Sequence, residues 1–136
     1  MIYMLDTDTL GFLINRAPGV ERIKRRISGR SPGEVRLSAI VLAEVQYGFA
    51  SGDVSVERRE TLTALLDIFG IDDFPAEAAQ DYGDIRADLE RRGQRIGPYD
   101  LLIAAHARHV GATLVTNNER EFRRVPGLAV QNWLRG

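Results

Sequence analysis

The sequence contains no cysteine among its 136 residues, which rules out disulfides, thiolate zinc sites and thiol nucleophiles. Histidine is nearly as scarce. Only His106 and His109 occur, and two imidazoles without thiolates make a poor zinc site. Any bound metal is therefore expected to be a hard cation held by oxygens. No apolar run approaches the roughly 20 residues of a membrane-spanning helix. No basic segment followed by a long apolar stretch marks a secretion signal, so a cytoplasmic location is expected. Net charge is also lacking, with 18 Lys+Arg against 19 Asp+Glu, so the chain has no overall basic footprint for nucleic acid. Its basic residues are grouped instead, over 22–30, 86–95 and 120–124, each group most simply a solvated helix face.

What is present is an alternation of short apolar runs and amphipathic segments. "IYML" (2–5) predicts a buried strand. Thr7 or Asp8 is placed to cap a helix running to about Asn15, and residues 19–28 predict a second, amphipathic helix. "SGRSPGE" (28–34) is a loop, after which Ser38 caps an apolar helix over 39–50. Helical pattern resumes over 56–69, "FGIDDF" (69–74) predicts a short strand, and Pro75 opens a helix over 76–93. Pro98 and Gly111 bound another helix, and 112–117 and 128–133 predict strands. Helices between strands along the whole length imply α/β, a mainly parallel sheet of about four to five strands flanked by helices. All of 1–136 is expected to form one domain.

Three acids stand where an acid is costly. Asp6 follows the first strand, at the edge where ligands bind in open α/β sheets. Glu44 is the only charged residue between Leu37 and Ala50, and Asp100 the only one between Ile96 and Ala105. Each has a plain structural alternative: Asp6 as a helix cap, Asp100 as a complement to a helix dipole, Glu44 as partner of a buried arginine. Together they suggest another reading. Carboxylates brought close raise one another's pKa unless a cation sits among them. Magnesium or manganese fits an all-oxygen set and supports hydrolysis of a phosphodiester.

These residues also carry a resemblance. "MLDTDTL" (4–10), "LSAIVLAEVQYG" (37–48), "YDLLIAAHA" (99–107) and "LVTNNEREFRRVPGLAVQNW" (114–133) resemble, in order, the motifs of PIN-domain ribonucleases, specifically the VapC-type toxins of type II toxin–antitoxin pairs. The resemblance implies a PIN-like fold and a Mg2+- or Mn2+-dependent endoribonuclease. By that resemblance Asp6 and Asp100 bind metal. Glu44 binds it directly or through water and helps deprotonate the attacking water. Transfer-RNA or ribosomal-RNA loops are the implied substrates. A cognate antitoxin that fills an apolar groove and blocks the acids is the implied partner, and a homodimer the implied assembly. Arg120, Arg123 and Arg124 are candidates for holding the RNA backbone.

Two departures from the family pattern matter. Asp8 stands where Asn is usual, as a neighbour of the metal or a helix cap. The fourth acidic position is filled by Asn118 after Thr116, with Asn117, Glu119 and Glu121 close enough that spacing does not choose among them. One-metal and two-metal arrangements both stay open.

Two rivals are worth stating. "LDTDT" (5–9) also matches the opening of haloacid dehalogenase-like phosphatases, with Asp6 as nucleophile and Asp8 as general acid. That family requires a downstream lysine, whereas Lys24 is the only one in the chain. It also requires a late acidic pair, for which Asp72 and Asp73 come too early. The other rival is a PIN-like domain that binds RNA or an antitoxin without cutting.

Overall fold

The computed structural model describes residues 1–135. Its sheet has five strands: β1 (Tyr3–Leu5), β2 (Val35–Ser38), β3 (Gly70–Asp72), β4 (Thr113–Val115) and β5 (Ala129–Gln131). Every neighbouring pair is parallel, in the order β3-β2-β1-β4-β5. The helices are α1 (Thr7–Asn15), α2 (Val20–Ser28), α3 (Ala39–Ser51), α4 (Val56–Ile68), α5 (Ala78–Arg91), α6 (Pro98–Val110) and α7 (Glu119–Phe122). The α/β architecture with a parallel sheet is as the alternating pattern predicts. Among the described residues no helix is long and apolar enough to cross a membrane.

The central strands carry mostly apolar residues because both sheet faces are covered. Met4, Leu5, Leu37 and Leu114 are fully buried, each stabilising the fold by about 2 kcal/mol. Their burial fixes where the strands end, and so fixes the polar residues that follow them.

Several local expectations are corrected. Strand β2 escapes the sequence pattern because it has four residues and runs directly into α3, with Ser38 ending one and capping the other. The cap of α1 is Asp6, whose side chain accepts from Thr9 N at 2.8 Å, and not Thr7 or Asp8. Strand β3 is shorter than 69–74. Helix α5 begins at Ala78 rather than 76, because the Pro75 and Ala76 carbonyls bind Ala78 N and Ala79 N in a tight turn. Helix α7 has only four residues, too short to leave a periodic signal.

His106 joins the two helices that matter most. Ser38 Oγ accepts from Ile40 N at 3.1 Å as the α3 cap and lies 2.8 Å from His106 Nδ1 on α6. Burial lowers the His106 pKa, so the ring is neutral and serves to fix α3 against α6.

Candidate functional site

The chain leaves β1 on the β2 side and later returns on the β4 side, which opens a crevice at the carboxyl edge between β1 and β4. Asp6 sits in it, 3% exposed. One carboxylate oxygen accepts from Thr9 N, the other from the Thr116 hydroxyl at 2.5 Å. The Asp6 amide donates to the Val115 carbonyl at 3.0 Å, and the Thr9 hydroxyl donates to that same carbonyl at 3.1 Å. Burial pushes the Asp6 carboxyl up to about 6 against the pull of these hydrogen bonds. Asp6 thus caps α1 while its carboxyl lies buried in the crevice.

Asp100 occupies the first turn of α6, where Pro98 starts the helix and no side chain caps it. A carboxylate there is favoured by the helix dipole, yet its pKa is pushed up to about 7. The causes are burial, then the charges of Glu121, Glu44, Asp6 and Asp8 in that order. Helix α3 supplies Glu44, half-buried, whose Oε1 accepts from the Thr7 hydroxyl at 2.6 Å. The partner of Glu44 is therefore a threonine and not a buried arginine.

Of the candidates for the fourth position, Glu121 is the one whose charge acts on Asp100. Asn118, at the start of α7, donates its amide to Glu121 Oε2, and Gly97 N donates to Oε1 at 3.3 Å. Glu119 is engaged away from the acids, with Arg123 at 2.9 Å, Arg135 at 3.3 Å and Asn132 at 3.2 Å. Its pKa is lowered, chiefly by the hydrogen bonds from Arg123 and Asn132. Asn117 accepts from Asn132 at 3.2 Å, and Thr116 serves Asp6. The sequence signal for Glu121 was its i, i+3 relation to Asn118, legible only once α7 is known to be a helix. Asp8 is exposed in the first turn of α1 and adds its charge to Asp6 and Asp100.

The arginines of 120–124 separate. Arg123 is paired with Glu119, and Arg124 donates to the Arg95 carbonyl at 3.3 Å. Arg120 is exposed and forms no ion pair among the described residues. In the 86–95 group, Arg86 pairs with Glu90 and Arg92 with Asp88, as expected of solvated helix faces. The phosphatase reading loses its parts: Lys24 pairs with Glu21 on the exposed face of α2, and Asp72 binds Arg36.

The donor set tests the metal expectation. It is all oxygen, gathered from four elements, and the charges acting most on Asp100 are carboxylates, which is the environment a hard divalent cation neutralises. Among the described residues no three acid or histidine side chains stand close enough to share one ion as placed. They meet through their charges, with Glu44 held by Thr7 and Glu121 by Asn118. The residues fit such a group by their chemistry, though not as placed.

Beside the acids runs a cleft of about 540 Å³. Its lining is mixed, with Thr7, Asp8, Glu44, Asn15, Arg58 and Asn117 polar or charged and Phe12, Ile14, Val45, Phe49 and Val54 apolar. Gly11 and Gly48 face it, and a methyl added at either meets nothing within 4 Å.

Known proteins resemble this chain over nearly its whole length. A family model described as PIN domain matches residues 3–128. Ribonuclease VapC2 of Rickettsia felis is 41% identical over 133 residues, covering 98% of each chain. The tRNA(fMet)-specific endonuclease VapC of Shigella flexneri is 35% identical over 131 residues, covering 96% of this chain and 97% of that one. In the crystal structure of VapBC2 from Rickettsia felis bound to a DNA fragment from their promoter, a chain 40% identical superposes with a TM-score of 0.87. The match covers 98% of this chain and 99% of that one.

Proposed function

The chain belongs to the PIN-domain family, among the VapC ribonucleases, and on that premise we propose that it is a Mg2+- or Mn2+-dependent endoribonuclease toxin held in check by a cognate antitoxin. The reading is carried by the gathering of Asp6, Glu44, Asp100 and Glu121 from four separate elements at the switch crevice of the sheet.

Asp6 is the fixed ligand, since Thr9 and Thr116 hold both its oxygens. Asp100 and Glu121, whose charges act on each other, would complete the ligand set. A bound divalent cation would supply charge neutralisation on the scissile phosphate and a more acidic attacking water. Glu44 takes the proton of that water on Oε2, while Thr7 holds Oε1 and aims the carboxyl. Arg120, exposed and without an ion pair among the described residues, is the first choice to hold an RNA phosphate, and Arg123 and Arg124 are second choices because each is already bonded. A transfer-RNA or ribosomal-RNA loop presents the unstacked, accessible backbone that such a site requires. Purified protein should cleave transfer RNA with Mg2+ and stop with excess chelator, and Asp6→Asn should abolish the activity; cleavage indifferent to both would refute the site.

The apolar cleft beside Glu44 is the place for the antitoxin segment, with its occupant blocking the acids. Gly48 gives this a two-sided test. Gly48→Ala adds a methyl in open space and should raise stability by about 0.5–1 kcal/mol in chemical denaturation, because glycine is a poor helix residue. Gly48→Trp fills the cleft and should leave RNA cleavage in place while antitoxin no longer suppresses it. Full suppression of the tryptophan variant would put the antitoxin elsewhere.

A further inference from the structure

Asp8, Glu44 and Arg58 are the charged residues lining the cleft beside the acids, and they are divided between its ends. Glu44 is bonded to Thr7 in the first turn of α1, and Asp8 stands in that same turn. Arg58, on α4, also lines an adjoining concavity of about 400 Å³ with Ile14, Asn15 and Arg16, where α1 ends. Eight residues of α1 separate Thr7 from Asn15, about 12 Å along the helix axis. The cleft is therefore negative at one end and positive at the other. The cations near Arg58 are already engaged: Arg16 pairs with Glu57 at 3.2 Å, and Arg59 lies 5.5 Å from the centre of the Phe49 ring. Arg58 is exposed and forms no ion pair among the described residues, although Asp53 shares its concavity.

We propose that Arg58 is a specificity residue for the antitoxin: it pairs with an aspartate or glutamate of the docked segment and so fixes the direction in which that segment lies. The inference rests on the toxin reading, which puts one end of the segment at the acids, and it assigns the other end. An acidic side chain laid at Asp8 and Glu44 meets like charge, whereas the same side chain at Arg58 meets its opposite. Phe12, Val45 and Phe49 reward any apolar segment, whichever way it runs. Only the charges at the two ends distinguish the correct direction from the reversed one, and one partner from another of equal apolar content. The acid that Arg58 reads lies about 12 Å from the residue at Glu44. That distance is about eight positions in a helical segment, or about four in an extended one.

The test titrates the full chain with its full-length cognate antitoxin and reads the suppression of transfer-RNA cleavage at low and high salt. Arg58→Ala and Arg58→Gln should cut RNA and melt as wild type does. They should need about fivefold more antitoxin for half-suppression at low salt, the scale of one exposed ion pair, and the deficit should shrink at high salt. Arg58→Glu turns attraction into repulsion and should need more than about tenfold. Antitoxins with their acids replaced by lysine, one at a time, should then restore suppression of Arg58→Glu at a single position. That same lysine antitoxin should suppress wild type poorly. Suppression of Arg58→Glu equal to wild type overturns the proposal, and so does a deficit that no lysine rescues. Slower cleavage by the Arg58 variants without antitoxin also overturns it, and gives the residue to the RNA. If wild type neither cuts transfer RNA nor is suppressed, the toxin reading fails. If Gly48→Trp escapes the antitoxin while Arg58→Glu does not, only the role of Arg58 fails.

Discussion

Asp100→Asn should abolish RNA cleavage and yet make the protein, in chelator, harder to unfold. The two effects have one cause. Asp100 is pushed up to about 7 by burial and by the charges of Glu121, Glu44, Asp6 and Asp8, so at neutral pH its negative form is held against repulsion. Asparagine keeps the shape and removes the charge. Asp100 is partly open to solvent, so screening trims the gain to about 1 kcal/mol, or roughly 4 °C in melting temperature for a domain of this size. Cleavage should fall by on the order of 10³-fold, the usual cost of losing one group that stabilises developing charge. A site residue whose removal stabilises the fold is the expected sign of function kept at the expense of stability. Parallel melting curves and cleavage assays check both halves; a variant that is inactive and also less stable would mean Asp100 is mainly structural.

Without divalent cation, stability should fall as pH rises from about 5 to 7.5, and Mg2+ should restore it most at the alkaline end. Both Asp6, at about 6, and Asp100, at about 7, lie above the ordinary carboxylate value of 3.8. Between that value and the raised ones the folded chain holds protons that the unfolded chain has released. Its stability therefore drops as pH climbs through the window. The Asp6 shift alone corresponds to about 3 kcal/mol. His106 opposes this trend: its pKa is lowered, so its contribution is present above the unfolded value of 6.5 and lost as pH falls through it. Asp81 and Glu119, both lowered by their partners, lose their contributions only in more acidic solution. Subtracting the profile of an Asp6→Asn, Asp100→Asn double variant removes the His106 contribution and leaves the two carboxyls. A difference that rises with pH, or Mg2+ stabilisation that is the same at pH 5.5 and 8, would refute the shared site.

The parts of the molecule that could be read from sequence are those where burial and chemistry conflict. Asp6, Glu44 and Asp100 were legible because each is an acid in an apolar run, and a long apolar neighbourhood is a strong local signal. Helices α3 and α6 are legible through Ser38, which caps the first, and Pro98, which opens the second. Strand β2 was not, because Val35–Ser38 merges with the helix it feeds and leaves no break to count from. Glu121 could only be bracketed with its neighbours, because residues 116–121 are chosen by the turn after β4. The turn sends Glu119 to Arg123 and Asn132 and leaves Glu121 over Gly97. The pairing of Ser38 with His106 joins residues 68 apart, a tertiary fact with no local trace. Asp8 was weighed as a helix cap, and lost that role because the cap oxygen must sit one residue before the helix begins, where Asp6 is.

If these carboxylates serve a cation-assisted attack by water on RNA, as proposed, the chemistry of the cut ends will show it. Transfer RNA treated briefly with the purified protein and Mg2+ should yield fragments bearing 5′-phosphate and 3′-hydroxyl, with none formed in excess chelator. Fragments ending in 2′,3′-cyclic phosphate, or cleavage that persists in chelator, would mean that the RNA's own 2′-hydroxyl attacks and that Asp6, Glu44, Asp100 and Glu121 do not do what is claimed for them.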